Sequence, residues 1–76
     1  MIIKDIKQCL SELRTHILFD YNAVQCGIDP ISHSHFEMWY GDKGCTVNNI
    51  DDVMNKPFFC EKSLTEIINY INNLEL

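Results

Sequence analysis

Apolar residues near the start of the chain recur every three or four positions, which is the period of an α-helix. They form one stripe, which consists of Ile2, Ile6, Cys9, Leu10, Leu13 and Ile17. This stripe predicts a first amphipathic helix over about residues 2–16. Asp5 near its start and Arg14 near its end carry the charges that a helix dipole favours.

From Ile17 onward apolar and polar residues alternate, and this period of two predicts β-strands. A two-residue turn at Asn22-Ala23 would join a first strand to a second that begins at Val24. The register places apolar pairs on one face: Ile17 with Ile28, Phe19 with Cys26, and Tyr21 with Val24. Asn tolerates the positive φ that such a turn requires, whereas Ala is a poor choice for the next position.

A second hairpin is predicted further along the chain. Asp29-Pro30 indicates the end of the second strand and is followed by a loop over 31–34. The segment His35–Tyr40 alternates again, and the residues Gly41–Gly44 have strong turn chemistry. The expected apolar pairs are Tyr40 with Cys45 and Met38 with Val47. The opposite face receives His35, Glu37, Trp39 and Thr46.

Two capping patterns predict helices in the last part of the chain. Asn49 is a suitable N-cap for a short helix over about 50–54. Ser63 and Glu66 have the spacing of a capping box. The apolar stripe behind that box predicts a final helix over about 64–75 and consists of Leu64, Ile67, Ile68, Ile71 and Leu74.

The resulting element order is α-β-β-β-β-(short α)-α, which predicts a two-layer α+β fold. We expect a four-stranded antiparallel meander with the helices on one face. The covered face would carry Phe19, Tyr21, Val24, Cys26, Ile28, Phe36, Met38 and Val47. A chain of 76 residues is expected to form one domain, residues 1–76. Its core is small, so a homodimer or a stable complex would add useful stability.

The balance of charge argues against nucleic-acid binding. The formal net charge is −5, from 6 Lys and Arg against 11 Asp and Glu. The basic residues are scattered singly, whereas a phosphate backbone is bound by a clustered basic patch. An acidic surface instead suits a basic protein partner.

The chain has no pattern typical of membrane or exported proteins. No apolar run approaches the roughly 18 residues that span a bilayer. Lys4 and Asp5 interrupt the apolar residues of the N-terminus, so we expect no signal region there. These patterns predict a cytoplasmic protein without membrane association.

Cysteine spacing and glycine positions both argue against an enzyme. The cysteines are Cys9, Cys26, Cys45 and Cys60. None of their spacings is C-x-x-C, so we expect thiols, with Cys60 the most exposed, and neither a zinc knuckle nor a redox motif. Gly41 and Gly44 flank a hairpin turn and do not lead into a helix, which argues against a phosphate-binding loop. We therefore expect neither catalysis nor a cofactor.

His33 and His35 form the densest histidine cluster of the sequence. They would bind a metal if a cysteine and a carboxylate joined them from elsewhere in the fold. The other interpretation is a polar loop that runs into a strand, with His35 on the uncovered sheet face. A small metal- or ligand-binding domain is therefore the alternative function.

Trp39 is the residue that most favours a binding function. In the register above, its indole points away from the helices, and exposed Trp and Tyr are enriched at binding hot spots. The candidate surface consists of Trp39, Glu37, His35, Tyr40, Asp42 and Lys43. The other interpretation is that the indole is covered, either by the loop over 29–34 or by Phe58-Phe59.

Together these patterns predict a non-catalytic protein-binding module, such as an adaptor or an inhibitor. It would dock on another protein or on its own copy through the uncovered sheet face. Small acidic domains are common among accessory and mobile-element proteins that inhibit or adapt larger machines. That comparison concerns size and charge alone.

Overall fold

The computed structural model describes residues 2–13 and 16–76, and these residues form an α+β fold with three helices and one five-stranded antiparallel sheet. The strands lie side by side in the order β4-β3-β2-β1-β5. In chain order the elements are α1 (Ile2–Ser11), β1 (Ile17–Tyr21), β2 (Val24–Ser32), β3 (His35–Tyr40), β4 (Lys43–Val47), α2 (Ile50–Asn55), α3 (Leu64–Ile67) and β5 (Asn72–Glu75). In the described part of the chain, no helix is long and apolar enough to cross a membrane.

The first hairpin has the register that the apolar alternation predicts. The pairs are Ile17 with Ile28, Phe19 with Cys26, and Tyr21 with Val24. Its turn residues Asn22 and Ala23 both have positive φ, 58° and 61°. Two consecutive positive φ values are typical of a type I′ turn, whose twist matches that of the paired strands. Ala23 therefore adopts a conformation that is unfavourable for alanine, and the strand pairing holds it there.

Strand β2 is longer than predicted, because Pro30 does not end it. Pro30 pairs with Phe36, and the ladder shifts register before Ser32 pairs with His35. The Gly41 amide donates to the Gln25 carbonyl at 2.9 Å, so the alternation of an antiparallel ladder directs the Pro30 nitrogen away from β3. On that side β1 begins only at Ile17, which lies opposite Ile28, so Pro30 extends past the first residue of β1. The missing N–H of Pro30 therefore removes no hydrogen bond between β1 and β2.

The second hairpin has a tighter turn than predicted. Gly41, with φ 63°, and Asp42 form the turn, and Lys43 already pairs with Tyr40. The apolar pairs become Met38 with Cys45 and Phe36 with Val47. The predicted pairs of Met38 and Tyr40 were therefore wrong by two residues. A shift of two residues leaves every side chain on its predicted face, because the period of a strand is also two.

The final helix is much shorter than the predicted segment 64–75. Helix α3 ends at Ile67, and β5 pairs with β1, with Leu18 opposite Glu75. Asn73 has φ 55°, a left-handed conformation that asparagine tolerates. Its side-chain amide donates a hydrogen bond to an Asp20 carboxylate oxygen at 2.7 Å. Pairing with the open edge of β1 therefore overrides the helical spacing of the apolar residues. The sheet gains a strand beyond the predicted meander of four.

The first helix is also shorter than predicted. It ends at Ser11, and Leu13 follows with φ 51°. Arg14 and Thr15, which the predicted helix included, lie outside the described residues, as does the side chain of Ile2. The remaining part of the predicted stripe is buried at Ile6, Cys9 and Leu10.

All helices contribute to one core on one face of the sheet. The strands supply its buried residues Ile17, Phe19, Cys26, Ile28, Phe36, Met38 and Val47. The helices and the segment between α2 and α3 supply Ile6, Cys9, Leu10, Val53, Met54, Phe59, Leu64, Ile67 and Ile68. This arrangement confirms the predicted two-layer α+β fold.

Both predicted caps are present. The Asn49 side chain accepts a hydrogen bond from the Asp52 amide at 2.7 Å at the start of α2. Ser63 and Glu66 form a reciprocal capping box at the start of α3, with hydrogen bonds of 3.2 Å and 2.9 Å. A helix of one turn has few internal hydrogen bonds, so its caps contribute a large share of its order.

We expect Ser63→Ala to lower the free energy of unfolding by about 1 kcal/mol, because it removes the acceptor for the Glu66 amide. Ser63→Thr keeps a hydroxyl at the cap and serves as the control. Urea unfolding monitored by circular dichroism measures both variants. A Ser63→Ala midpoint equal to that of the wild type would contradict the role assigned to the capping box.

Candidate functional site

The sheet face that points away from the core is called the open face. Cross-strand pairing and strand alternation place on it Leu18, Asp20, Gln25, Gly27, Asp29, His35, Glu37, Trp39, Gly44, Thr46 and Glu75. Most of the residues that alternate with them along the strands belong to the core or pack against it. The open face is therefore the broad surface of the sheet that the helices leave uncovered.

Trp39 lies in the centre of the open face and has a glycine on each side. It pairs with Gly27 of β2 and with Gly44 of β4. A Cβ atom added to Gly27 would lie 2.1 Å from Trp39 Cζ2, so the indole ring rests directly on the β2 backbone. The ring is half-buried as a result. Because Gly27 has no side chain, the indole can lie against the backbone of the sheet.

The two segments that the sequence suggested as covers for the indole lie elsewhere. Residues 29–32 continue strand β2 and do not form a loop over the face. Phe59 packs on the core side, with its ring 5.6 Å from that of Phe19 and 5.2 Å from that of Phe58. The outer surface of the Trp39 indole is therefore the part that a partner would meet.

Carboxylates surround the indole. Among the described strand residues, the open face carries Asp20, Asp29, Glu37 and Glu75, and it carries no Lys or Arg. Asp29 lies directly opposite Glu37, an arrangement of like charges that weakens a sheet. The sheet tolerates this pair without a cation from its own open face. The open face is therefore a negatively charged surface with an aromatic centre.

His35 is the one group of the described open face that can become positive. Its Nε2 lies 3.3 Å from a Glu37 carboxylate oxygen, two residues further along the same strand. The contact has the distance of an ion pair but lacks hydrogen-bond geometry, and Nε2 is shielded from solvent without a hydrogen-bond partner. Its attraction for Glu37 is therefore electrostatic and depends on protonation of the imidazole.

The structure separates Tyr40 from the other predicted site residues. Successive strand residues point to opposite faces, so Tyr40 lies on the core side while Trp39 lies on the open face. The Tyr40 ring is 6.4 Å from that of Tyr21, and its hydroxyl accepts a hydrogen bond from the Cys60 thiol at 3.0 Å. Asp42 lies in the exposed turn, and Lys43 points to the same side as Tyr40. Only Trp39, Glu37 and His35 share the predicted surface.

The two histidines of the alternative metal site point to different parts of the molecule. His33 Nε2 lies 3.1 Å from the Ser11 carbonyl oxygen at the end of α1. His35 contacts Glu37 on the open face. Within residues 2–13 and 16–76, no group of three His, Cys, Asp or Glu side chains is arranged to hold a metal ion.

The four cysteines are thiols in different environments. Cys9 and Cys26 are buried, Cys45 is half-buried and Cys60 is exposed. Burial raises the pKa of Cys26 to about 11, so this thiol stays protonated at neutral pH. Cys60 lies between Tyr40 and the Asn22 amide, whose nitrogen is 3.7 Å from its sulfur. The raised pKa of Cys26 therefore disfavours a nucleophilic thiolate at that residue.

A groove on the core side of the sheet was not predicted from the sequence. It has a volume of about 570 Å³ and is lined by Tyr21, Asn22, Lys62, Glu66 and Tyr70. Tyr70 lies in the turn after α3, where its backbone amide donates to the Ile67 carbonyl at 2.7 Å, and its side chain lines the groove.

We expect Gly27→Ala to displace the Trp39 indole and to lower the free energy of unfolding by about 1–3 kcal/mol, because the new methyl group would overlap the ring. Trp39 is the single tryptophan of the chain, so its fluorescence emission should shift to longer wavelength as the ring enters water. Gly44→Ala is the matched control, since its Cβ would meet only the Met38 carbonyl oxygen, at 3.9 Å. Equal emission spectra for both variants would show that the indole does not rest on Gly27.

We expect Cys60 to react first with iodoacetamide at about pH 8, because it is exposed, while the buried and protonated Cys26 reacts only on unfolding. Peptide mass spectrometry after short exposure identifies the modified residue. Cys60→Ser should remove the fast phase. Early modification of Cys26 would contradict its burial.

Comparison with known proteins supplies no relative for this chain. No protein-family model matches it, and neither the comparison with curated proteins nor that with solved structures finds a match. The geometry and charge of the chain's own residues are therefore the basis for its function.

Proposed function

We propose that this domain is a non-catalytic protein-binding module of the cytoplasm, an adaptor or inhibitor that docks a basic partner protein on its open face. One observation carries the proposal. The Trp39 indole rests on Gly27 with its outer surface uncovered, at the centre of a face whose charged groups are carboxylates. An arginine side chain of the partner would stack on this indole and pair with Glu37 or Asp29.

The seating of the indole favours binding energetically. A large aromatic side chain that is already fixed loses little conformational freedom when a partner covers it. Tryptophan and arginine are the residues most enriched at interface hot spots. A guanidinium over an indole contributes roughly 0.5–2 kcal/mol, and more as water is excluded. The pre-formed position of Trp39 therefore supports a role as the central contact.

The charge of the open face favours a basic partner over the other candidates. Docking of two copies face to face would bring Asp29 and Glu37 of one copy near the same acids of the other, which costs energy. A nucleic acid would meet like charge in the same way. A basic protein would instead be attracted over several ångströms, and its association rate would fall as salt increases.

The size of the open face predicts a transient complex. Five strands at a spacing of about 4.8 Å, each about 17 Å long, cover roughly 400 Å². A standard interface buries about 800 Å² on each partner. The open face alone therefore falls in the range of weak, exchanging complexes. Its flanking turns would have to contribute for tighter binding.

We expect a tetra-arginine peptide to bind the open face at low salt and to bind more tightly than tetra-lysine, because only the guanidinium is planar and stacks on the ring. Trp39→Ala should weaken binding of tetra-arginine about twofold to thirtyfold. Isothermal titration calorimetry measures the affinity, and amide shifts in NMR spectra locate the peptide. Tyr70→Ser is the control, since it removes an exposed aromatic side chain that lies on the core side of the sheet.

A second variant separates binding from stability. The double change Asp29→Asn and Glu37→Gln keeps the indole and its seat but removes two charges, so it should weaken tetra-arginine binding and reduce its salt dependence. Equal affinity of the wild type and both variants, or amide shifts confined to the helices, would contradict the proposal. Proteins captured from a cell lysate by the wild type and by Tyr70→Ser, but not by Trp39→Ala, are then the candidate partners.

A further inference from the structure

The groove on the core side is a second candidate site, independent of the open face. Its volume of about 570 Å³ falls within the roughly 300–1,000 Å³ typical of small-molecule sites. Tyr21, which lines it, belongs to the face of β1 that packs against the core, whereas Leu18 and Asp20 point to the open face. The sheet therefore lies between the groove and Trp39.

Two strained turns border the groove. Asn22 and Ala23 have φ values of 58° and 61°, and Cys60 and Glu61 have values of 53° and 66°. Non-glycine residues adopt this region at an energetic cost and keep it only where surrounding contacts impose it. Strand pairing holds the first turn in this conformation, so the position of Asn22 is fixed before a ligand binds.

The contacts that impose the strain also fix the walls of the groove. The second turn is closed by reciprocal backbone hydrogen bonds between Phe59 and Lys62, of 2.9 Å and 3.0 Å, so the Lys62 side chain starts from a defined position. Cys60 joins the two turns, because its sulfur lies 3.7 Å from the Asn22 amide nitrogen and 3.0 Å from the Tyr40 hydroxyl. The groove is therefore formed without a ligand.

The groove carries one positive and one negative group. Glu66 is held by Ser63, whose amide donates to Glu66 Oε1 at 2.9 Å. The hydrogen bonds from Ser63, and to a lesser degree the nearby Lys62, lower the pKa of Glu66, so this carboxylate is ionised at neutral pH. Glu66 Oε2 is not used in the capping box. An ammonium and a carboxylate in one groove complement a zwitterion.

Two phenol rings supply an aromatic surface. Tyr21 is half-buried, and its ring packs 6.4 Å from that of Tyr40. Tyr70 is 71% exposed, so most of the surface of its ring is available to a ligand. A planar ligand ring placed against these phenols would remove their apolar surface from water and would stack favourably.

We propose that the groove binds a free aromatic amino acid, with its ring against Tyr21 and Tyr70, its carboxylate on Lys62 and its ammonium on Glu66. A nucleotide fits less well, because several phosphate charges would meet one cation beside a carboxylate. A divalent metal would find a single carboxylate. A residue within a peptide lacks both charges, so the free amino acid is the ligand that uses every group of the groove.

The test is an NMR titration of the whole chain with L-phenylalanine, followed through backbone amide shifts. We expect saturable shifts at Asn22, Lys62 and Tyr70, with a dissociation constant of about 1 mM or tighter for so small a ligand. L-Leucine lacks the ring, phenethylamine lacks the carboxylate and 3-phenylpropanoate lacks the ammonium. Each of these probes should bind at least about tenfold more weakly.

Two variants test which residue of the groove binds each charge of the amino acid. Lys62→Gln should weaken L-phenylalanine about tenfold and leave phenethylamine unchanged. Glu66→Gln keeps the capping box, since Gln also serves at that position, and should remove the preference for L-phenylalanine over 3-phenylpropanoate. Ile31→Ser, which lies outside the groove, should bind like the wild type. Absence of saturation up to about 20 mM, or equal affinity for L-leucine and L-phenylalanine, would overturn the proposal. Neither result bears on the open face.

Discussion

The register of β2 with its two neighbouring strands is the constraint on which both candidate sites depend. The turn at Asn22-Ala23 fixes β1 against β2, and a slip of one residue would exchange the faces of β1. The pairing of β2 with β3 places Gly27 under the Trp39 indole, and the pairing of β2 with β1 places Tyr21 at the groove. The core requires the same registers, since it buries Phe19 and Cys26. The two pairings of β2 thus determine the packing and both surfaces.

The faces of the strands could be predicted from the sequence because they depend only on local alternation. The pairing of β3 with β4 was displaced by two residues, yet Met38 and Trp39 kept their predicted faces. The prediction that Pro30 ends β2 was wrong. The missing N–H of Pro30 would weaken the sheet only if β1 lay beside it, and this depends on the residue at which β1 begins. The face to which a strand residue points is a local property, whereas register and strand length depend on the neighbouring strand.

The final strand and the groove could not be predicted, because both depend on contacts between distant residues. Leu64, Ile67 and Ile68 do have helical spacing and are buried, so the pattern was correct for α3. Beyond them, the edge of β1 offers hydrogen bonds that an isolated helix end cannot match. Tyr70 lies in the turn between α3 and β5, where it lines the groove. The contact of the Trp39 indole with Gly27 likewise could not be predicted, because it depends on the register between β2 and β3.

Strand β5 also bears on the order in which the sheet forms. The neighbouring strands β1 to β4 are joined by two-residue turns, so their contacts close short loops. The contact of Asn73 with Asp20 joins residues 53 positions apart. Closing a loop of that length costs more chain entropy, so β5 should dock after the meander has assembled. Until then β1 presents a bare edge, the kind of surface on which a newly made chain associates with its neighbours.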